Sequence, residues 1–89
     1  MKIKLELYGA SREFSSKDYL EFDLKEKIKI KDFRKEIISY LDKNFNGNKD
    51  FKKIVEASAF CSDENNIMND NYKISKDQKI GIIPPIGGG

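Results

Sequence analysis

Lys2-Ile3-Lys4-Leu5-Glu6-Leu7-Tyr8 alternates without a break. Successive side chains of an extended chain point to opposite faces, so Ile3, Leu5 and Leu7 share one side and Lys2, Lys4 and Glu6 the other. A strand that is apolar on one face needs a neighbour in a sheet and a second layer to cover it. Asp18 to Leu24 supplies the neighbour, with Leu20, Phe22 and Leu24 inward and Tyr19, Glu21 and Asp23 outward. The two runs are expected to pair as an antiparallel hairpin whose loose connection begins with a turn or loop at Gly9-Ala10-Ser11.

The cover follows, where the period changes. Phe33, Ile37, Leu41 and Phe45 recur every four residues, with Ile38 and Tyr40 widening the stripe, and predict an amphipathic helix from Ile30 to Phe45. Asp32 and Glu36 stand near its start and Lys43 near its end, as the helix dipole favours. Asn46-Gly47-Asn48 stops it. Lys49 to Ile54 has no decisive pattern, a short helical turn being one reading. Val55 to Cys61 reads as a buried third strand whose inward parity is open. Asp63-Glu64-Asn65-Asn66 makes a turn, Ile67-Met68 a short strand, and Ser75 to Gln78 a polar turn into a last strand, Lys79 to Ile83. The expected fold class is α+β: a roll in which one mixed sheet packs on one main helix.

Length and composition exclude much. With 89 residues there is room for one domain and little depth for a pocket, which favours a module acting with a partner over a self-contained enzyme. Seventeen basic residues against fifteen acidic ones leave +2, far from the field of a nucleic-acid binder. The longest apolar stretch, Ile80 to Ile86, is broken by Gly81 and two prolines and is too short to span a bilayer. The N-terminus enters a strand at once, so no leader is expected. Without histidine there is no Ser-His-Asp or Cys-His catalysis and no histidine-ligated metal. The single cysteine, Cys61, closes no internal disulfide and builds no zinc site, and it fits a reducing, cytoplasmic setting. Carboxylates, lysines and the two chain termini remain for chemistry. No bound metal or cofactor is expected.

The last residues, Pro84-Pro85-Ile86-Gly87-Gly88-Gly89, carry the most information. Proline fixes φ and pushes the residue before it to extended conformations, so the exit from the last strand is restricted. Three glycines then remove every side chain. Such a tail can thread a channel too narrow for any other residue and bring a terminal carboxylate to another protein's active site. The expected organisation is a domain over 1–83 and a flexible tail over 84–89.

This ending, the first strand Ile3-Lys4-Leu5-Glu6-Leu7-Tyr8, Arg12-Glu13, the helix around Phe33 to Leu41 and the closing Asp77-Gln78-Lys79-Ile80-Gly81-Ile82-Ile83 together resemble the MoaD/ThiS family of ubiquitin-like, β-grasp sulfur carriers. The likeness covers essentially the whole chain, though only the tail is tightly specific. Within the family it is nearest to the small subunits of molybdopterin synthase. The resemblance implies a β-grasp roll and a cycle of chemistry at Gly89. An adenylating partner, similar to ubiquitin-activating enzymes, would join the Gly89 carboxylate to AMP using ATP. A sulfur donor would displace AMP and leave a thiocarboxylate. The large subunit of molybdopterin synthase, in a heterotetramer, would accept Gly88, Gly87, Ile86, Pro85 and Pro84 in its active site and use the sulfur to build the molybdopterin dithiolene. A carboxylate is a poor electrophile until adenylated, whereas a thiocarboxylate is a good soft nucleophile.

Two relatives in fold stay open: thiamin-type carriers, which share the Gly-Gly end but typically lack Pro-Pro, and archaeal ubiquitin-like modifiers, which can share Pro-Pro-x-x-Gly-Gly and join lysines of other proteins. An interaction module with an inert tail is the reading of a different class. Tyr8 and Ile83 have the parity of the polar face, opposite to Leu7 and Ile82, and mark a docking patch; the resemblance assigns the same role to them and to Arg12. Cys61 reads as a small core residue, with a redox or transfer thiol as the other reading, and Lys25, Lys27, Lys29 and Lys31 as a solvated rim, with recognition of an acidic partner as the other reading.

Overall fold

The computed structural model describes residues 1–85. The main sheet has four strands in the order β2-β1-β6-β4, where β1 is Lys2–Leu7, β2 Tyr19–Asp23, β4 Ala59–Ser62 and β6 Gln78–Ile83. β1 and β2 form the expected hairpin, with Ile3 opposite Phe22 and Leu5 opposite Leu20. β1 and β6 run parallel, Leu5 beside Ile80 and Leu7 beside Ile82, so the first and last strands lie together at the centre. A parallel pair needs a long crossover, and here the crossover carries both helices and the remaining strands.

Helix α1, Ile30–Asn44, lies where its stripe predicts, with Ile30, Phe33, Ile37 and Leu41 buried. They meet Ile3, Leu5, Leu7 and Leu20 in one core. Phe22 is only half-buried, its ring edge-on to Phe33 at 5.4 Å and to Tyr40 at 5.8 Å. Gly47, at φ +70°, follows the end of α1 and donates its N–H to the Asp42 carbonyl at 3.1 Å.

Several expectations are corrected. Lys49–Ala57 is a second helix, α2, and takes Val55 to Ala57 out of the strand predicted there. Asn48 starts it by accepting from the N–H groups of Asp50 and Phe51 at 2.9 and 3.1 Å. Phe51, Ile54 and Val55 share a helical stripe, and all three pack on the core. A two-residue strand that the sequence reading lacks, β5 at Lys73–Ile74, pairs with β3 at Ile28–Lys29. The predicted strand Ile67-Met68 is reduced to one bridge between Ile67 and Cys61, while Met68 turns inward and is buried. The Gly9 turn continues as a 3-10 helix over Gly9–Phe14 that buries Ser11 and Phe14.

Candidate functional site

The outer face of the sheet, away from α1, carries the candidate site. Its centre is Gly81, which stands beside Glu6 of β1 and opposite Cys61 of β4. A Cβ at Gly81 would lie 3.1 Å from a ring carbon of Tyr8 and 3.1 Å from the Cys61 sulfur. The Tyr8 ring and the Cys61 thiol therefore rest on bare backbone. Even a methyl there would require one of them to shift by a few tenths of an ångström.

Around Gly81 the apolar surface is continuous. Tyr8 is 49% exposed and Ile83 40%. Tyr8 is one step past the last registered pair, Leu7 with Ile82, which brings it level with Ile83. Ile83 pairs with Ala59, and Cys61 bridges to Ile67, which is 69% exposed. Paired residues across strands share a face, so Tyr8, Ile83, Ala59, Cys61 and Ile67 form one patch. Cys61 is thus not the core residue read from sequence. Phe60 beside it is fully buried, and alternation sends the thiol outward.

The Tyr8 backbone is fixed by a buried hydroxyl. Ser11 Oγ accepts the Tyr8 N–H at 3.0 Å and donates to the Tyr8 carbonyl at 2.6 Å, so both polar groups that leave the β1 ladder are satisfied by one side chain. Gly9 supplies the turn with φ +56°, a conformation that side chains resist. Arg12 lies on the next turn and lines a shallow depression of about 240 Å³ with Glu6, Leu7, Tyr8 and Asp18. Its contact to the Asp18 carboxylate is 3.4 Å and exposed, which leaves the guanidinium nearly free to change partners.

The exit of β6 adjoins the patch. Pro84 is buried beside Gly9, whose added Cβ would meet the Pro84 ring at 3.8 Å, while Pro85 is exposed. Pro84 and Pro85 also border an open groove of about 490 Å³ with Ala10, Asp50, Lys53, Ile54 and Ala57. Pro84 thus packs against the body one residue past Ile83. Ile86, Gly87, Gly88 and Gly89 lie outside the described residues.

The sequence singles out Tyr8, Ile83 and Arg12, and the fold gathers them at one end of the sheet; Gly81, Ala59, Cys61, Ile67 and Ser11 join them only through register and packing. Parity was the usable signal for Cys61, had the limits of α2 been known.

No helix among the described residues is long and apolar enough to cross a membrane. No family model and no curated protein sequence matches the chain. Solved structures do match. A Pyrococcus furiosus protein provisionally assigned as molybdopterin converting factor subunit 1 is 18% identical, with a TM-score of 0.68 over 96% of this chain and 98% of that one. SAMP1 of Haloferax volcanii is 11% identical, also with a TM-score of 0.68, over the whole of both chains. The described residues have the β-grasp fold of these two proteins.

Proposed function

We propose that the chain is a ubiquitin-like sulfur carrier, the small subunit of a molybdopterin synthase, with Gly89 as the group that is adenylated and then carried as a thiocarboxylate. The observation that carries this reading is the exposed apolar patch around Gly81, placed beside the exit that leads through Pro84 and Pro85 to Gly87-Gly88-Gly89. Contiguous exposed apolar surface marks interaction sites. Here it would seat the partner next to the channel that receives the tail. The likeness of fold to a converting factor subunit supports a partner subunit for this chain as well.

In this reading the folded body supplies position and the partners supply activation. The adenylating enzyme binds ATP and forms the acyl adenylate at Gly89. A sulfur donor attacks the acyl carbon, AMP leaves, and the thiocarboxylate remains. As the large subunit takes the sulfur for the dithiolene, water cleaves the acyl C–S bond and Gly89 returns to a carboxylate. The setting is cytoplasmic. Chain residues Tyr8, Ile83 and Arg12 hold the partner; Pro84, expected in the free tail, is instead buried against the body as its root, and Pro85 to Gly88 thread the partner's active site.

A direct test incubates the protein with an adenylating enzyme, ATP and a sulfide donor. The intact mass should rise by the difference between sulfur and oxygen, located on the peptide that ends in Gly89. An unchanged mass with a competent enzyme defeats the proposal. The equal likeness to SAMP1 supports a second reading, attachment of Gly89 to lysines of other proteins. In cell extract with ATP, that reading expects isopeptide-linked Gly89 peptides and the first expects none.

The patch makes its own prediction. Ile83→Asp should weaken binding to the large subunit by roughly tenfold or more, because a charge would be desolvated without a partner in the interface. The fold should persist with a loss of about 1 kcal/mol, since Ile83 is 40% exposed and aspartate is a poor strand residue. Unchanged affinity in titration calorimetry would remove Ile83 from the site.

A further inference from the structure

Two lysine-bearing segments, distant in sequence, meet where β3 pairs with β5. β3 and β5 pair with Ile28 opposite Ile74 and Lys29 opposite Lys73. Backbone bonding continues beyond them, the Ile30 N–H donating to the Tyr72 carbonyl at 2.9 Å and the Lys31 N–H to the Asp70 carbonyl at 3.1 Å. Ile74 is buried and Ile28 half-buried, so Lys29 and Lys73 take the opposite, outward face. Lys27 precedes Lys29 by two residues, and Lys31 is the second residue of α1. Lys27, Lys31 and Lys73 are exposed and Lys29 is half-buried.

Like charges directly across an antiparallel pair oppose folding. Glu26 and Asp32 neighbour Lys27 and Lys31 in the chain, but neither forms an ion pair with the four lysines. None of the four lysines lies within 4 Å of a carboxylate among the described residues. Asp70, whose carbonyl holds Lys31, gives its carboxylate to Arg34 Nε at 3.0 Å, and Asp32 stands 3.8 Å from Lys35.

We propose that Lys27, Lys29, Lys31 and Lys73 form a docking surface for an acidic segment of a protein partner. Outside these four lysines, acidic residues outnumber basic ones in the chain, which opposes a nucleic-acid backbone or an anionic membrane extending past the patch. A short run of carboxylates fits within it. β5 leads into the start of β6 and Pro84 follows its end, about 17 Å away by strand rise. Both surfaces can therefore be held at once, with the lysines steering approach and the apolar patch holding the complex. The proposal does not rest on the sulfur-carrier reading.

The test follows backbone amide resonances of the whole protein during titration with a short polyglutamate peptide at low salt. Saturable shifts are expected at Lys27, Lys29, Lys31 and Lys73, but not at Lys43, Lys49, Lys52 or Lys53. They should vanish near 1 M salt, where the screening length is about 3 Å. Lys29→Gln with Lys73→Gln should weaken binding by roughly tenfold while the thermal midpoint holds or rises, since a repulsion is removed. A clear fall in the midpoint would make the pair structural and overturn the proposal. So would shifts spread evenly over all lysines. Tighter binding of an oligothymidylate or of phosphatidylserine vesicles to the same four residues would overturn it in favour of nucleic acid or membrane.

Discussion

Deleting Gly89, or adding one residue after it, is expected to abolish sulfur loading while leaving the folded body unchanged. Either change moves the terminal carboxylate by up to about 3.3–3.6 Å, one extended residue. Misplacing a reacting group by even about 1 Å can cost around a hundredfold in rate. The body should keep its stability within about 0.5 kcal/mol, because Pro84 is the last buried residue among those described. The measurement is the intact mass after reaction with the adenylating enzyme, ATP and a sulfide donor, beside a thermal melt. If the extended protein gains sulfur without first being trimmed, Gly89 is not the reacting group. Gly88→Ala probes the channel instead: it keeps the carboxylate in register and adds only a methyl, so a large loss there would locate the constraint in the tail's width.

The parts of the fold that carry a sustained period were legible. β1 and β2 alternate over at least five residues each, and α1 repeats its apolar stripe over 15, long enough for one period to exclude the other. α2 was obscured because Val55, Ala57, Ala59 and Phe60 form one short apolar run across a helix end and a strand start. The boundary is Ser58, which is buried and donates its hydroxyl to the Ile54 carbonyl. β5, two residues long, has no period to read. Its existence follows from Ile74 meeting Ile28, a contact set by tertiary packing.

The site divides the same way. Tyr8 and Ile83 announced themselves by breaking the polar parity of their own strands. Gly81 and Cys61 could not, since their meaning lies in register across β1, β6 and β4, which a single strand does not encode. A glycine in a strand signals close approach of some other group, and here that group is the Tyr8 ring. Arg34 gave no signal at all. It sits on the flank of α1, next to Phe33, where an arginine ordinarily reaches into solvent.

Arg34→Ala is expected to lower stability by about 3 kcal/mol, a loss out of proportion to a surface arginine. The side chain is 18% exposed and its guanidinium holds three separate acceptors. Nη1 donates to the Val55 carbonyl at 2.7 Å and the Ser58 carbonyl at 2.6 Å, and Nε to the Asp70 carboxylate at 3.0 Å. The guanidinium carbon also stands 4.7 Å from the centre of the buried Phe60 ring. One residue thereby ties α1 to the C-terminal end of α2, to the approach to β4 and to the loop before β5. In a domain this size the loss amounts to a fall of roughly 12–24 °C in the thermal midpoint. Two controls separate the causes. Asp70→Asn should cost less than about 1 kcal/mol, because Asp70 is 56% exposed and the pair is partly screened. Arg34→Lys keeps the charge, yet one ammonium cannot reproduce the planar fork toward three acceptors, so it should fall between the two. Equal effects of Arg34→Ala and Asp70→Asn would reduce the cluster to its ion pair. A loss in Arg34→Ala alone, with faster hydrogen exchange at Phe60 and Cys61, would show that the two carbonyl bonds hold β4 against β6 and keep the Cys61 side of the docking patch in place.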